Sequence, residues 1–154
     1  MAGLQTILHG TCVSVGGHGV LILGVPGAGK CDLALRLIDQ PGLGLLARPM
    51  RSALVADDQV VITRQKDRLV ASAPQLLKGK LEIRGLGIVG VKPIARVDLA
   101  LVARLGPRTS IARMPDTAAF EILGISLPVV DIDATADSAA ARLRSAVNWL
   151  VRHS

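Results

Sequence analysis

Eight consecutive residues, Gly24-Val25-Pro26-Gly27-Ala28-Gly29-Lys30-Cys31, hold the densest chemistry in the chain. They follow an apolar run at 19–23 and precede a helical pattern, which sets the loop between a buried strand and a helix start. In the pattern G-x-x-x-x-G-K the glycines let the backbone curl until successive N–H groups face one anion. The helix N-terminus adds partial positive charge and Lys30 adds a full one, so the nest suits the β- and γ-phosphates of a nucleotide. Pro26 removes one of the N–H groups. A hydroxyl residue normally closes this pattern and reaches Mg2+. Cys31 stands there instead, and a thiol is a soft, weak partner for a hard cation. The helix start and Lys30 are expected to lower its pKa.

Two acids, Asp57-Asp58, end a second buried run at 53–56. Phosphate-loop enzymes keep a metal ligand and a catalytic base at such a place, beyond the carboxyl end of a strand. An acid pair that merely opens a turn is an equal reading. Glu82 and Arg84, in Leu81-Glu82-Ile83-Arg84-Gly85-Leu86-Gly87-Ile88, fall on one side of an extended chain. The carboxylate can hold a cation while the guanidinium contacts phosphate, although from this motif alone a surface ion pair before a glycine turn is the favoured reading. Taken alone, His9 reads as a core histidine, and His18 and His153 as surface residues.

Elements must hold these groups in place. With 154 residues and 16.0 kDa the chain has room for one domain, taken as 1–154, and its 50% apolar content can fill a core. Phe120 and Trp149 are the two aromatic residues, so that core is aliphatic. The net charge of +6 suits an anionic partner, yet the bases are scattered and stacking platforms are nearly absent, which argues against nucleic acid. Cys12 and Cys31 make neither a disulfide framework nor a zinc pattern. No apolar run is long enough to cross a membrane and no signal peptide opens the chain, so a cytoplasmic protein is expected.

Residues 12–15 and 19–23 read as a hairpin, followed by a helix that Pro41-Gly42 stops. The connector 40–52 has no clear period. Strands are expected at 53–56, 59–63, 68–71, 88–91, 97–102 and 127–132, with 59–63 and 68–71 paired around a polar turn. A final helix from Asp137 places Ala139, Leu143, Ala146, Val147 and Leu150 on one face. Asp137 is expected in its first turn and Arg152 and His153 in its last, which suits the helix dipole. The class is α/β with a mixed sheet.

Residues 24–32, the string Leu54-Val55-Ala56-Asp57-Asp58 and the segment 81–88 together resemble the catalytic domain of HPr kinase/phosphorylase. His9-Gly10 matches that family's histidine before the first hairpin. The likeness covers about residues 5–92, is weaker in the last third, and is to the short proteobacterial form that lacks an N-terminal domain. It implies a phosphate-binding-loop (P-loop) kinase fold and an ATP- and Mg2+-dependent serine kinase acting on HPr, a phosphocarrier of the sugar or nitrogen phosphotransferase system. It places Lys30 on the nucleotide phosphates, Cys31 and Glu82 on Mg2+, Asp58 as base with Asp57 beside it, and His9 and Arg84 at the site. It also implies a homohexamer. This chain departs from the family at Val25-Pro26, at Cys31 and in the longer connector 40–52. The family's P-V-x-x-G-R-N loop is absent, because Leu127-Pro128-Val129-Val130 runs on into Asp131. Phosphorylase activity is therefore the least supported part of what the resemblance implies. Two other readings remain: a nucleotide-sensing module with decayed catalysis, and a small nucleotide kinase with an adenylate-kinase-like loop.

Overall fold

A computed structural model of the chain describes residues 4–116 and 118–151. Strands β1 (Gln5–His9), β2 (Thr11–Val15) and β3 (His18–Leu23) lead into helix α1 (Lys30–Asp39). Strands β4 (Ser52–Ala56), β5 (Gln59–Gln65) and β6 (Arg68–Ser72) follow, then a hairpin of β7 (Lys80–Ile83) and β8 (Gly87–Gly90). Strands β9 (Arg96–Leu105), β10 (Ala119–Ile122) and β11 (Ile125–Ile132) precede helix α2 (Ala139–Leu150).

One mixed sheet runs in the order β1-β5-β6-β9-β3-β2-β4, with β11 beside β9 and β10 beside β11. Strands β3, β9 and β11 pair in parallel, and β2 runs antiparallel to both β3 and β4. The carboxyl ends of β3, β4, β9 and β11 therefore point the same way. This is the edge at which open α/β sheets bind ligands.

Successive residues of a strand face opposite sides, and here both sides are covered. Val20 and Ile22 pack with Leu33 and Leu37 of α1 and Leu143 of α2, whereas Leu21 faces a second core with Val60, Ile62 and Leu69. Double-sided burial explains why β3 reads as an unbroken apolar run. The mixed α/β class and the paired strands β5 and β6 agree with the sequence reading.

Several expectations need correction. Strands β1 and β10 were not legible, and β9 extends beyond 97–102 at both ends. The extended reading of 81–88 breaks at a turn over Arg84-Gly85-Leu86, so Glu82 lies on β7 while Arg84 lies in the hairpin turn. Helix α2 begins at Ala139, which leaves Asp137 ahead of its first turn; Arg152 and His153 lie outside the described residues. Its face is buried as expected at Ala139, Leu143, Ala146 and Val147, and Arg144 joins them by donating to the Gln40 carbonyl. His18 is partly buried at the start of β3. Among the described residues no helix is long and apolar enough to cross a membrane.

Candidate active site

The glycine loop spans the gap between Leu23 at the end of β3 and Lys30 at the start of α1. Gly27 and Gly29 hold φ values of 83° and 102°, a left-handed backbone that residues with a Cβ rarely adopt. Gly29 is further constrained, because a Cβ there would lie 2.9 Å from the Ala134 Cβ. Lys30 is buried, and its ammonium folds back to donate to the carbonyls of Gly24 at 2.9 Å and Val25 at 3.3 Å. The loop thus holds its own cation over its own backbone.

The two acids at the end of β4 have different surroundings. Asp57 is buried and accepts from three donors: Thr11 Oγ1 at 2.9 Å, Cys31 Sγ at 3.2 and 3.5 Å to its two oxygens, and the Glu82 N–H at 3.2 Å. It ties β2, α1 and β7 to the end of β4. Asp58 is exposed and has φ of 70°, inside a three-residue turn closed by the Gln59 N–H on the Asp57 carbonyl at 2.8 Å. Its carboxylate lies 3.3 Å from His9 Nδ1, and the Gly10 N–H donates to its carbonyl at 3.1 Å. Of the pair, Asp58 is the carboxylate with solvent-facing oxygens.

Cys31 behaves opposite to expectation. Burial, followed by the Asp57 charge and hydrogen bond, pushes its thiol up to about 12, and Lys30 offsets this only in part. The side chain is a protonated donor at neutral pH. Desolvation and a neighbouring carboxylate outweigh the helix start and the lysine.

A cavity of about 550 Å3 opens beside the loop. Gly27 to Cys31 form one wall, Glu82, Ile83 and Arg84 a second, and Ala134 and Thr135 a third. Lys30, Cys31, Glu82 and Arg84 are thus brought to one space, while His9, Asp57 and Asp58 lie outside its walls. The third wall was missed from sequence. It is a turn in which Asp133 accepts from Thr135 N–H at 2.9 Å and Oγ1 at 2.6 Å, and these bonds hold the Asp133 carboxyl below its ordinary range. The spacing Asp-x-Thr after a strand is the signal that could have marked it.

The cradle fits phosphate: curled glycines, a helix start, a buried lysine and an adjoining cavity. It is less well furnished for a metal. Among the described residues no three His, Cys, Asp or Glu side chains cluster as ligands. Asp57 already accepts three donors, Cys31 keeps its proton and Asp32 on the cavity wall pairs with Arg36 at 3.1 Å, so Glu82 is the carboxylate there best placed for a cation.

Comparison with known proteins follows the same lines. The model of the HPr Serine kinase C-terminal domain matches residues 2–146. The HPr kinase/phosphorylase of Geobacillus thermodenitrificans is 37% identical over 139 residues, which is 82% of this chain and 42% of that protein. That of Caldicellulosiruptor bescii is 35% identical over 137 residues, 80% of this chain and 40% of the relative. That of Bacillus licheniformis is 45% identical over 87 residues, 56% of this chain and 25% of its own length. The chain therefore spans less than half the length of these relatives. Among solved structures, the Hpr(Ser) kinase/phosphatase from Coxiella burnetii superposes with a TM-score of 0.78 at 23% identity, covering 93% of this chain and 94% of that one. This last likeness is one of fold.

Proposed function

Because the chain belongs to the HPr serine kinase C-terminal domain family, we propose that it is a cytoplasmic ATP-dependent serine kinase whose acceptor is an HPr-type phosphocarrier. One observation carries the reading: the phosphate loop and the acid pair leave the same sheet edge, tied together by Cys31 and Asp57. Phosphoryl transfer demands positioning and charge neutralisation more than covalent chemistry.

In this reading Lys30 leaves the Gly24 and Val25 carbonyls for the phosphate oxygens, and the loop N–H groups hold the same anion. Arg84 adds a guanidinium from the cavity lining it shares with Glu82. Glu82 is the side chain that would hold Mg2+, which would supply charge neutralisation at the phosphates when bound. Cys31 contributes its S–H to Asp57 and is not a metal ligand. Asp58 takes the serine hydroxyl proton as the serine oxygen bonds to the γ-phosphorus and the bond to the β-phosphate oxygen breaks. His9 holds the Asp58 carboxylate in place. The reading covers the forward kinase reaction, and the resemblance extends it to a homohexamer, which sedimentation would measure.

The test is transfer of labelled γ-phosphate from ATP to an HPr-type carrier or to AMP. Transfer to a carrier serine is expected. Transfer to AMP would make the chain a nucleotide kinase, and ATP binding without transfer would make it a sensor. In Asp58→Asn turnover should fall roughly 10²- to 10⁴-fold with ATP affinity nearly unchanged. A collapse of ATP affinity would instead make Asp58 a binding residue.

A further inference from the structure

Residues 9, 10 and 11 each touch the acid pair, and each does so with a different group. His9 Nδ1 lies 3.3 Å from the Asp58 carboxylate, the Gly10 N–H donates to the Asp58 carbonyl at 3.1 Å, and Thr11 Oγ1 donates to the Asp57 carboxylate at 2.9 Å. Two of these contacts fix backbone or buried atoms. Thr11 is completely buried at the start of a strand whose five residues are all buried. A hydroxyl there must find a partner, and its partner is an aspartate with 7% exposure.

The acid pair needs such holding. Asp58 has φ of 70° within a turn of only three residues, a costly backbone state for a residue with a Cβ. Such states persist where the surroundings over-determine them. Gly10 supplies one anchor: a Cβ there would lie 2.8 Å from the Ile22 carbonyl oxygen, so this segment is seated directly on β3, the strand that feeds the phosphate loop. Thr11 supplies the other, reaching the residue on which the turn is built.

We propose that Thr11 is a positioning residue for phosphoryl transfer: its buried hydroxyl fixes Asp57 and so sets the left-handed Asp58 backbone that aims the base. The proposal rests on the kinase reading above. Thr11 touches no reacting atom and acts through Asp57. Through the shared Asp57 carboxylate, it also sets Asp58 in register with Cys31 and the loop.

Two measurements test it, one of them independent of activity. Amide exchange followed by NMR should show the Gln59 and Gly10 N–H groups, which close and brace the turn, exchanging about three- to tenfold faster in Thr11→Val, as expected for one lost hydrogen bond. Thr11→Ser, which keeps the hydroxyl, should exchange like the parent chain. In the kinase assay Thr11→Val should lower kcat about 10- to 100-fold with the KM for ATP unchanged, because the loop is intact while the base is misaimed. Thr11→Ser should restore it. If both amides keep their protection in folded Thr11→Val, or kcat does not change, the proposal is overturned. Should the valine variant not fold, Thr11→Ala removes the hydroxyl without setting a methyl against Asp57 and takes the same two measurements. A parent chain that transfers no phosphate overturns the kinase reading instead, and the exchange rates then still decide whether Thr11 holds the turn.

Discussion

The Lys30 ammonium lies 2.9 Å from the carbonyl oxygen of Gly24, six residues earlier in the same loop. A cation that braces the loop before any anion arrives has two uses, and removing it should show both. Lys30→Ala should weaken nucleotide binding by well over tenfold, since losing one partner of a partly desolvated charge pair costs about 2 to 5 kcal/mol. It should also lower thermal stability modestly, because the Gly24 and Val25 carbonyls lose a donor. Nucleotide titration and a melting curve check the two effects. Unchanged affinity would reduce the loop to a turn.

Gly29 meets a steric limit and a backbone limit at once. Its φ is 102°, and an added Cβ would lie 2.9 Å from that of Ala134. Gly29→Ala should therefore destabilise the chain by about 1 to 3 kcal/mol and push the loop away from the turn after β11. Gly27→Ala is the control, as a Cβ there meets nothing within 4 Å although φ is also positive at 83°. The difference between the two variants in melting temperature isolates the contact with Ala134. Equal losses would mean that backbone strain alone accounts for both.

Cys31 titrates in a window set by its shift. Unfolded, its thiol loses a proton near the ordinary value of 9.0; folded, it keeps the proton to about 12. Its contribution to stability is thus complete below pH 9 and is lost as pH rises from there toward 12. Cys12, buried and shifted the same way, adds to the same fall, so the comparison is between the parent chain and Cys31→Ser. The serine variant should lose less stability over that window. At neutral pH the Cys31 thiol should be alkylated far more slowly than a free cysteine, because its thiolate fraction is suppressed. Fast alkylation at pH 7.5 would show that the Asp57 contact is not kept in solution.

Much of the site was legible because its signals are local. The glycine loop, the acid pair and the hairpin at 12–23 are written in contiguous residues whose turn chemistry and burial agree. What escaped depends on distant partners. Among the described residues strand β1 pairs only with β5, and it alternates between exposed and partly buried, so it lacks the continuous apolar run of β3. The turn joining β10 to β11 puts Leu123 at φ of 50° before Gly124 at 83°, a place where Asn or Asp would have announced a hairpin. The direction of the Cys31 shift depended on burial by the folded chain and then on a carboxylate 26 positions away in sequence. The wall formed by Ala134 and Thr135 needed the parallel pairing of β11 with β9 to bring it to the loop.

That pairing bears on how the chain acquires its site. Strand β3 ends in the phosphate loop, yet its partner is β9, with Gly19 matched to Leu99 and Leu23 to Arg104. Parallel ladders between such remote segments close slowly, because the entropy of the intervening loop must be overcome before the contacts reward it. During synthesis β3 is made before β9 and lacks its parallel neighbour on that edge until residues 96–105 follow. The sheet edge from which the phosphate loop leaves is therefore complete on the β9 side only once residues 96–105 have been made.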